Sequence, residues 1–451
     1  MTDILLAVAQ QGLGGKLLRQ LGLPTPVKLK RGDGAYAEKP LSNRTIGVIV
    51  VPEKSTQLTP VIQQLGGQSL IRGDQVRDGL LLDGILLDAN GCDSVEALRS
   101  LFEQLQAALP RLRKHGRVLL ITGTSSAQED AALAAFNQGF VGLTKSLAKE
   151  VGKRGATVNL LQVDPGCQHR LYSPVAYFLS HHSSYVTGQR LHISCGVPAP
   201  ASLPATAVLS GKAAVVTGAA GGIGAATARR LASEGAHVIC LDTAGQAEKL
   251  HALAADIGGT AVLADITQPD AAIALTDWCK SNKRKLDVIV HNAGITRDKT
   301  LARMSPKQWD AVLAVNLAAI LELDAALLDH DLIAPEARLV CLSSISGIAG
   351  NYGQTNYAFT KAALIGYVKA QSVKLGAKGI TVNAVAPGFI ETDMTASLPL
   401  LVREAGRRFN ALSQGGRPRD VADAIQFLVS PGASGISGQT LRVCGGSLLG
   451  A

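Results

Sequence analysis

Tyr357 and Lys361 stand four residues apart, and Ser344 lies thirteen residues before the tyrosine. A spacing of four puts the phenol and the ammonium on one face of a helix. A free phenol titrates near about 10, too high to act readily as an acid. A neighbouring ammonium favours the phenolate and is expected to lower that value. Tyr357 is then able to give a proton to a carbonyl oxygen during reduction and to take one from an alcohol during oxidation. Ser344 is a candidate to hydrogen-bond the same oxygen as negative charge builds on it. Asn316 is a candidate to hold a water beside Lys361 and so link the proton relay to solvent. A Tyr-x3-Lys pair by itself is commonly a plain helix-surface contact. The company of Ser344, Asn316 and a glycine-rich turn makes it a catalytic candidate.

That turn runs Thr217-Gly218-Ala219-Ala220-Gly221-Gly222-Ile223-Gly224, directly after the apolar strand 213–216 and opening a helix over 225–234. Glycines serve where backbone turns sharply and where it must approach a pyrophosphate. A helix N-terminus offers that anion free N–H groups and a favourable dipole. Gly218, Gly222, Ile223 and Gly224 are therefore the candidate dinucleotide cradle. Asp242 ends the next strand, where a carboxylate accepts from both adenosine ribose hydroxyls and repels a 2′-phosphate. With no Lys or Arg between 219 and 228 to clamp that phosphate, NAD(H) is expected over NADP(H). Asp265 follows a further strand and is within reach of an adenine amino group. Asn292, Ala293 and Gly294 end another, and their small side chains let backbone lie against the adenosine ribose. Lys361, with Tyr357, is also expected to hold the nicotinamide ribose.

Strand-length apolar runs at 213–217, 238–242, 261–264, 288–291, 339–342 and 381–386 alternate with helical patterns. That alternation predicts a doubly wound parallel sheet of Rossmann type, with helices on both faces and ligands at the strand carboxyl ends. At 451 residues the chain is too long for one ordinary core. The stretch 197–208 carries three prolines among small residues and reads as a semi-rigid linker. It separates a first domain, 1–196, from a second, 209–451. The halves echo each other in order. Gly155-Ala156-Thr157-Val158-Asn159 matches Gly379-Ile380-Thr381-Val382-Asn383, and Pro165-Gly166 matches Pro387-Gly388. Val186-Thr187-Gly188-Gln189 matches Ile436-Ser437-Gly438-Gln439, and Asp83 to Gly91 matches Asp287 to Gly294. This suggests duplication. Aligned through that echo, Leu133 falls where Tyr357 would be and Asn137 where Lys361 would be. The first clear strand, 45–51, leads into Pro52-Glu53-Lys54-Ser55 with no glycine turn. The first half is accordingly expected to be a degenerate flavodoxin- or Rossmann-like domain without catalysis, serving assembly, stability or substrate presentation.

Net charge is +9. A mild basic excess favours acidic partners. The basic runs at 28–31 and 111–114 lack interleaved aromatics, so nucleic acid is not an expected partner. No uninterrupted apolar run is long enough for a membrane span and no leader pattern opens the chain, so a cytoplasmic protein without a membrane partner is expected. Seven scattered cysteines contain no CxxC pair. They read as buried free thiols, with neither a disulfide framework nor a metal site.

With glycine turn, Asn292-Ala293-Gly294, Asn316, Ser344 and Tyr357-x3-Lys361 in order, residues 209–451 resemble the short-chain dehydrogenase/reductases. The stretch Pro387-Gly388-Phe389-Ile390-Glu391-Thr392-Asp393-Met394-Thr395 is similar to that of bacterial 3-oxoacyl-[acyl-carrier-protein] reductases. The resemblance implies that Pro387, Gly388, Ile390 and Thr392 border the nicotinamide, with the Ile390 backbone on its amide. NADPH-type members often carry Arg in the glycine turn, whereas this chain has Gly221-Gly222 there and also Asp242. With its extra first half, the chain resembles the high-molecular-weight, NADH-linked branch. The resemblance implies an oxidoreductase acting on CH–OH with NAD(P), reducing a 3-oxoacyl thioester of acyl carrier protein or CoA in fatty acid metabolism. Lys374 and Lys378 are candidates to dock an acidic carrier, and 396–408 is expected to form a flexible substrate lid. A homodimer is expected, because such enzymes associate through the helices carrying Asn316 and Tyr357. A dehydrogenase for another secondary alcohol, such as a sugar or steroid, has the same proton chemistry. A non-catalytic assembly role suits residues 1–196.

Overall fold

The computed structural model describes residues 3–21, 25–51, 58–71, 80–124 and 130–447. Two parallel sheets, each flanked by helices, form two compact units in the manner of tandem Rossmann-like domains. The first sheet holds β1 (Thr45–Val50), β2 (Gln68–Ile71), β3 (Leu82–Asp88), β4 (Leu112–Gly123), β5 (Thr157–Val163) and β6 (Gln189–Ile193). The second holds β7 (Ala213–Thr217), β8 (His237–Asp242), β9 (Thr260–Leu263), β10 (Leu286–His291), β11 (Ile333–Leu342), β12 (Thr381–Pro387) and β13 (Thr440–Val443). Strands covered on both faces read as apolar runs, as β7 does, buried along its whole length; β5 is buried as fully but carries the polar Thr157, Asn159 and Gln162.

Strand order in the second sheet is β13-β12-β11-β10-β7-β8-β9. The order reverses between β7 and β10, and such a reversal opens a crevice at the carboxyl ends of the strands. The first sheet runs β2-β1-β3-β4-β5-β6, the order of flavodoxin-type sheets with one strand added at the edge. Pro52-Glu53-Lys54-Ser55, which follows β1, lies outside the described residues.

The echo between the halves is written in hydrogen bonds. Asp83 accepts from the Thr45 amide at 3.0 Å, and Asp287 accepts from Ala213 at 2.9 Å. Asn159 Nδ2 donates to Val186 O at 3.0 Å, and Asn383 Nδ2 donates to Ile436 O at 2.8 Å. The same two asparagines accept, through Oδ1, from Gln189 N and Gln439 N, both at 3.1 Å. Each pair does one job, tying a strand to the start of another strand or to the turn just before it.

The units are not simply the two halves of the sequence. The first comprises Met1–Cys195 together with Met394–Gly416 and Val443–Leu448, and the second takes Gly196–Asp393 and Arg417–Arg442. Within the first unit, Tyr185 Oη donates to Gln414 O at 2.7 Å, and Gln414 Nε2 donates to Val27 O at 2.8 Å. Arg408 binds Asp3 at 2.9 Å and Glu404 at 3.0 Å. The segment 396–408, expected to form a flexible substrate lid, is tied at Arg408 by these ion pairs. The segment forms the helix Leu400–Arg408, and ion pairs and carbonyl contacts fasten it into the first unit.

One pair of cysteines also departs from expectation. Cys167 and Cys195 are joined, with Cα atoms 5.8 Å apart, while five others are free and buried. They are 28 residues apart in sequence, and each follows one of two adjacent strands, β5 and β6. Sheet pairing, which spacing alone does not reveal, brings them together.

Candidate active site

The second sheet delivers the candidate residues to one edge. Gly218 follows β7, Asp242 ends β8, Asp265 follows β9, Asn292 follows β10, Ser344 follows β11 and Gly388 follows β12. All lie within the second unit.

Gly218 and Gly222 have φ of +64° and +54°, a region glycine enters without steric cost. A Cβ on Gly224 would lie 2.0 Å from the Gly218 carbonyl oxygen, so the turn closes only on hydrogen at that position. Gly221 caps the helix Gly222–Ser233 and has open space above it. Exposed N–H groups at a helix start, lined by glycine, fit a dinucleotide pyrophosphate. Asn292 has a role that its sequence position did not suggest. Its Nδ2 donates to Thr217 O and Gly218 O, both at 2.9 Å, clamping the turn. Thr217 Oγ1 accepts in return from the amides of Asn292 and Ala293, both at 3.1 Å. Asp242 accepts from Ala220 N at 3.0 Å and Thr243 N at 2.9 Å, leaving its carboxylate beside the turn. Asp265 is exposed and holds Thr267 N at 2.9 Å. Ile390 is buried, and Thr392 Cγ2 would sit 3.8 Å from a Cβ on Gly222.

Asn316 sits in a π-helical turn, Ala314–Ala318, inside the longer helical run 306–329. Such turns are rare and cluster at functional sites. Its Oδ1 accepts from Ile295 N at 2.8 Å and its Nδ2 donates to Ile295 O at 2.9 Å. A Cβ on Gly294 would meet Asn316 Oδ1 at 3.3 Å and Lys361 Nζ at 3.4 Å, so both groups reach one small space.

Ser344 caps the short helix Ile345–Ala349. That helix crosses the helix Thr355–Leu375 closely enough that a Cβ on Gly347 would meet backbone of Lys361 at 2.6 Å. Tyr357 and Lys361 share the first turns of the longer helix. Lys361 is 3% exposed, and its Nζ donates to Leu342 O at 2.7 Å, 5.7 Å from the Tyr357 ring centroid. Burial pushes this ammonium down to about 8. Burial pushes the Tyr357 phenol up, a hydrogen bond with Ser344 pulls it down, and Asp298 adds a smaller upward push. The expectation that Lys361 lowers the phenol is corrected for this state: desolvation is the larger effect on Tyr357, and Ser344 opposes it.

Several supports escaped the sequence reading. Gln354 receives Ser346 Oγ at 3.1 Å and donates to Asp298 at 2.9 Å. His291, Asp324 and Tyr367 form a buried chain, at 2.8 and 2.6 Å, joining β10 to both helices that carry the candidate groups. Neither set has a motif spacing, since the partners lie far apart in sequence. Lys374 and Lys378 are exposed but misassigned. Lys374 is 17 residues beyond Tyr357 on one helix, about 25 Å at ~1.5 Å per residue, toward the opposite edge of the sheet. In the first unit, Asn137 is buried in the helix Ala131–Gly152 with Leu133 one turn before it.

A family model described as enoyl-(acyl carrier protein) reductase matches residues 218–447. The 3-oxoacyl-[acyl-carrier-protein] reductase FabG of Vibrio cholerae is 40% identical over 238 residues, covering 53% of this chain and 98% of that one. FabG of Escherichia coli is 38% identical over 243 residues, covering 52% and 97%. Nodulation protein G of a Rhizobium species is 40% identical over 240 residues, covering 53% and 97%. A crystal structure titled short-chain dehydrogenase/reductase SDR:Glucose/ribitol dehydrogenase, from Brucella melitensis, superposes with a TM-score of 0.50 at 32% identity, covering 53% and 97%.

Proposed function

Because this chain belongs, through its second half, to the short-chain dehydrogenase/reductase superfamily, we propose that it reduces a 3-oxoacyl thioester to the 3-hydroxyacyl thioester with NADH. The observation that carries this reading is the gathering of Ser344, Tyr357, Lys361 and Asn316: Ser344 caps the helix that abuts the Lys361 backbone, Lys361 Nζ lies 5.7 Å from the Tyr357 ring centroid, and Lys361 Nζ and Asn316 Oδ1 reach one small space at Gly294. Two donors suit one carbonyl oxygen. A nicotinamide, when bound, supplies the hydride to the carbonyl carbon. Ser344 steadies the developing oxyanion, and Tyr357 delivers its proton to the oxygen. Lys361 offsets charge on the phenolate left behind, and the space at Gly294 suits a water that returns the proton. Gly218, Gly222, Ile223 and Gly224 hold the pyrophosphate; Asn292, Ala293 and Gly294 border the adenosine side; Pro387, Gly388, Ile390 and Thr392 border the nicotinamide. Asp242 beside the turn supports NADH through repulsion of a 2′-phosphate, and Asp265 borders the adenine.

The names of the relatives support a thioester on acyl carrier protein, while CoA as the carrier and a place in fatty acid metabolism follow from the resemblance. The family description names an enoyl reductase instead; the paired hydroxyls favour the ketone. The extra first unit, with its flavodoxin-type strand order, supports the high-molecular-weight branch and a non-catalytic role for residues 1–196. Absorbance of reduced nicotinamide, followed with acetoacetyl-CoA, tests the proposal. Consumption of NADH faster than NADPH is expected, with Tyr357→Phe lower by about 10²–10⁴-fold. Turnover of crotonyl-CoA but not acetoacetyl-CoA would replace the ketone with the enoyl substrate. Undiminished activity in Tyr357→Phe would remove the mechanism.

A further inference from the structure

The first unit has a cavity of ≈ 450 Å³ at the amino-terminal edge of its sheet, the edge opposite the usual ligand side. Lys30, Arg44, Arg113, Lys114 and Arg154 line it, and Asp83 is the one carboxylate among them. Asp83 is already engaged. It accepts from Thr45 N at 3.0 Å and lies 3.5 Å from Arg113 Nε. Lys30 and Lys114 are exposed and have no carboxylate partner among the described residues.

One further cation stands behind the wall. His115 and His181 line the cavity, both pushed toward the neutral form by burial and the cations around them, and Arg117 stands behind them, 1% exposed. Its guanidinium donates to the carbonyls of Ser180 at 2.9 Å and His115 at 3.0 Å, and to Ser184 Oγ at 3.0 Å. Carbonyl dipoles satisfy its N–H groups without neutralising it. Burial and Arg44 push Arg117 down to about 9, and burial with Arg117, Arg44 and Lys30 pushes His181 down to about 2. Arg44 and Arg117 destabilise one another, and together they hold His181 neutral.

The fold does not require this crowding, because the second half builds the same turn differently. His115 and Glu336 both have positive φ, 61° and 59°. Arg117 and Arg338 each donate back to that residue's carbonyl, at 3.0 and 2.6 Å. Where the first half has His115 and His181, the second has Glu336 and Pro431. A carboxylate and a neutral residue have been exchanged for two histidines, at a place already rich in Lys and Arg.

We propose that this cavity binds a small phosphate-bearing anion, between pyrophosphate and a nucleoside diphosphate in size. Lys30, Lys114 and Arg113 make the neutralising contacts, with Arg44 and Arg117 as a fixed positive field behind them. A volume of this order is that of a small-molecule site. The inference does not depend on the reductase reading, since none of these residues belongs to the second unit.

Calorimetric titration of the full chain with pyrophosphate, and separately with ADP, tests it. The double variant Lys30→Gln/Lys114→Gln, and Arg113→Gln as an independent variant, alter exposed side chains. Lys149→Gln, exposed on the helix Ala131–Gly152, is the control. Pyrophosphate binding is expected to weaken at least ~10-fold in the double variant and to be unchanged in the control, as loss of two close charges from a partly desolvated site implies. ADP binding that is tighter than pyrophosphate and equally sensitive to the double variant identifies a nucleotide. Pyrophosphate alone responding identifies a free phosphate compound. Absence of pyrophosphate and ADP binding, or binding that the Lys30, Lys114 and Arg113 variants leave intact, overturns the proposal.

Discussion

Lys361 is a buried amine that donates to a carbonyl oxygen, and its burial has a measurable signature in stability. Its pKa in the folded protein, about 8, lies below the ordinary value of 10.5. Below pH 8 both folded and unfolded states hold the proton, and the folded state bears the full cost of a buried charge. Between about 8 and 10.5 the unfolded chain binds more protons, so this group makes stability rise with pH. Lys361→Met removes the effect. Its denaturation midpoint is expected to exceed that of the native protein at pH 7, and the gap is expected to shrink by pH 10. A gap independent of pH would show that the amine is not desolvated. Asp242 permits a second prediction at this scale. Asp242→Asn keeps hydrogen-bonding capacity beside Ala220 and Thr243 but removes the negative charge. Its KM for NADPH is expected to fall relative to that for NADH by about 10-fold or more, as an energy of order 1.4 kcal/mol implies. An unchanged ratio of the two KM values would remove Asp242 as the selector. Single residues of this kind were legible because their chemistry is unusual where they stand. Thr217 and Gln354 were not legible, since each acts through groups distant in sequence.

At the level of elements, the glycine-turn helix is held by a buried ionic cluster. Arg230 reaches Glu234 and Asp423, both at 2.7 Å, and ties the helix Gly222–Ser233 to the helix Pro418–Val429. Removing the arginine would strip two buried carboxylates of their ion pairs with it. Arg230→Ala is expected to lose about 3–5 kcal/mol, read as a lowered denaturant midpoint. Gly224→Ala drives a methyl group into the Gly218 carbonyl, and fluorescence titration is expected to show NADH binding lost or the protein unfolded. Ordinary affinity in that variant would mean that the turn opens readily. The strands of the second sheet were readable to within a few residues, because both-face burial demands apolar runs. The start of β11 was missed, since Pro335 and Glu336 break its pattern. β13 is short and half-buried in alternation, too brief to stand out. The π-helical turn at Asn316 has no sequence signal, because it depends on what Asn316 grips across the loop at Ile295.

The whole molecule is two units with a shared thread. Leu321, Phe359 and Val373 are exposed apolar residues on the helices that carry the candidate groups. A second copy covering them is expected, and equilibrium sedimentation should report a dimer; a monomer would contradict this. The chain boundary near 197 was visible in its prolines, but the return of 394–416 and 443–448 to the first unit was not. Those returns depend on single contacts such as Tyr185 with Gln414. Residues 209–451 expressed alone would carry two segments stripped of their unit, so a poorly soluble fragment is expected, rescued by co-expression of 1–208. The same threading bears on synthesis. Chains commonly fold from the amino terminus as they emerge from the ribosome. Here the amino-terminal unit waits for residues 443–448, so the part made first is completed only once synthesis has reached them.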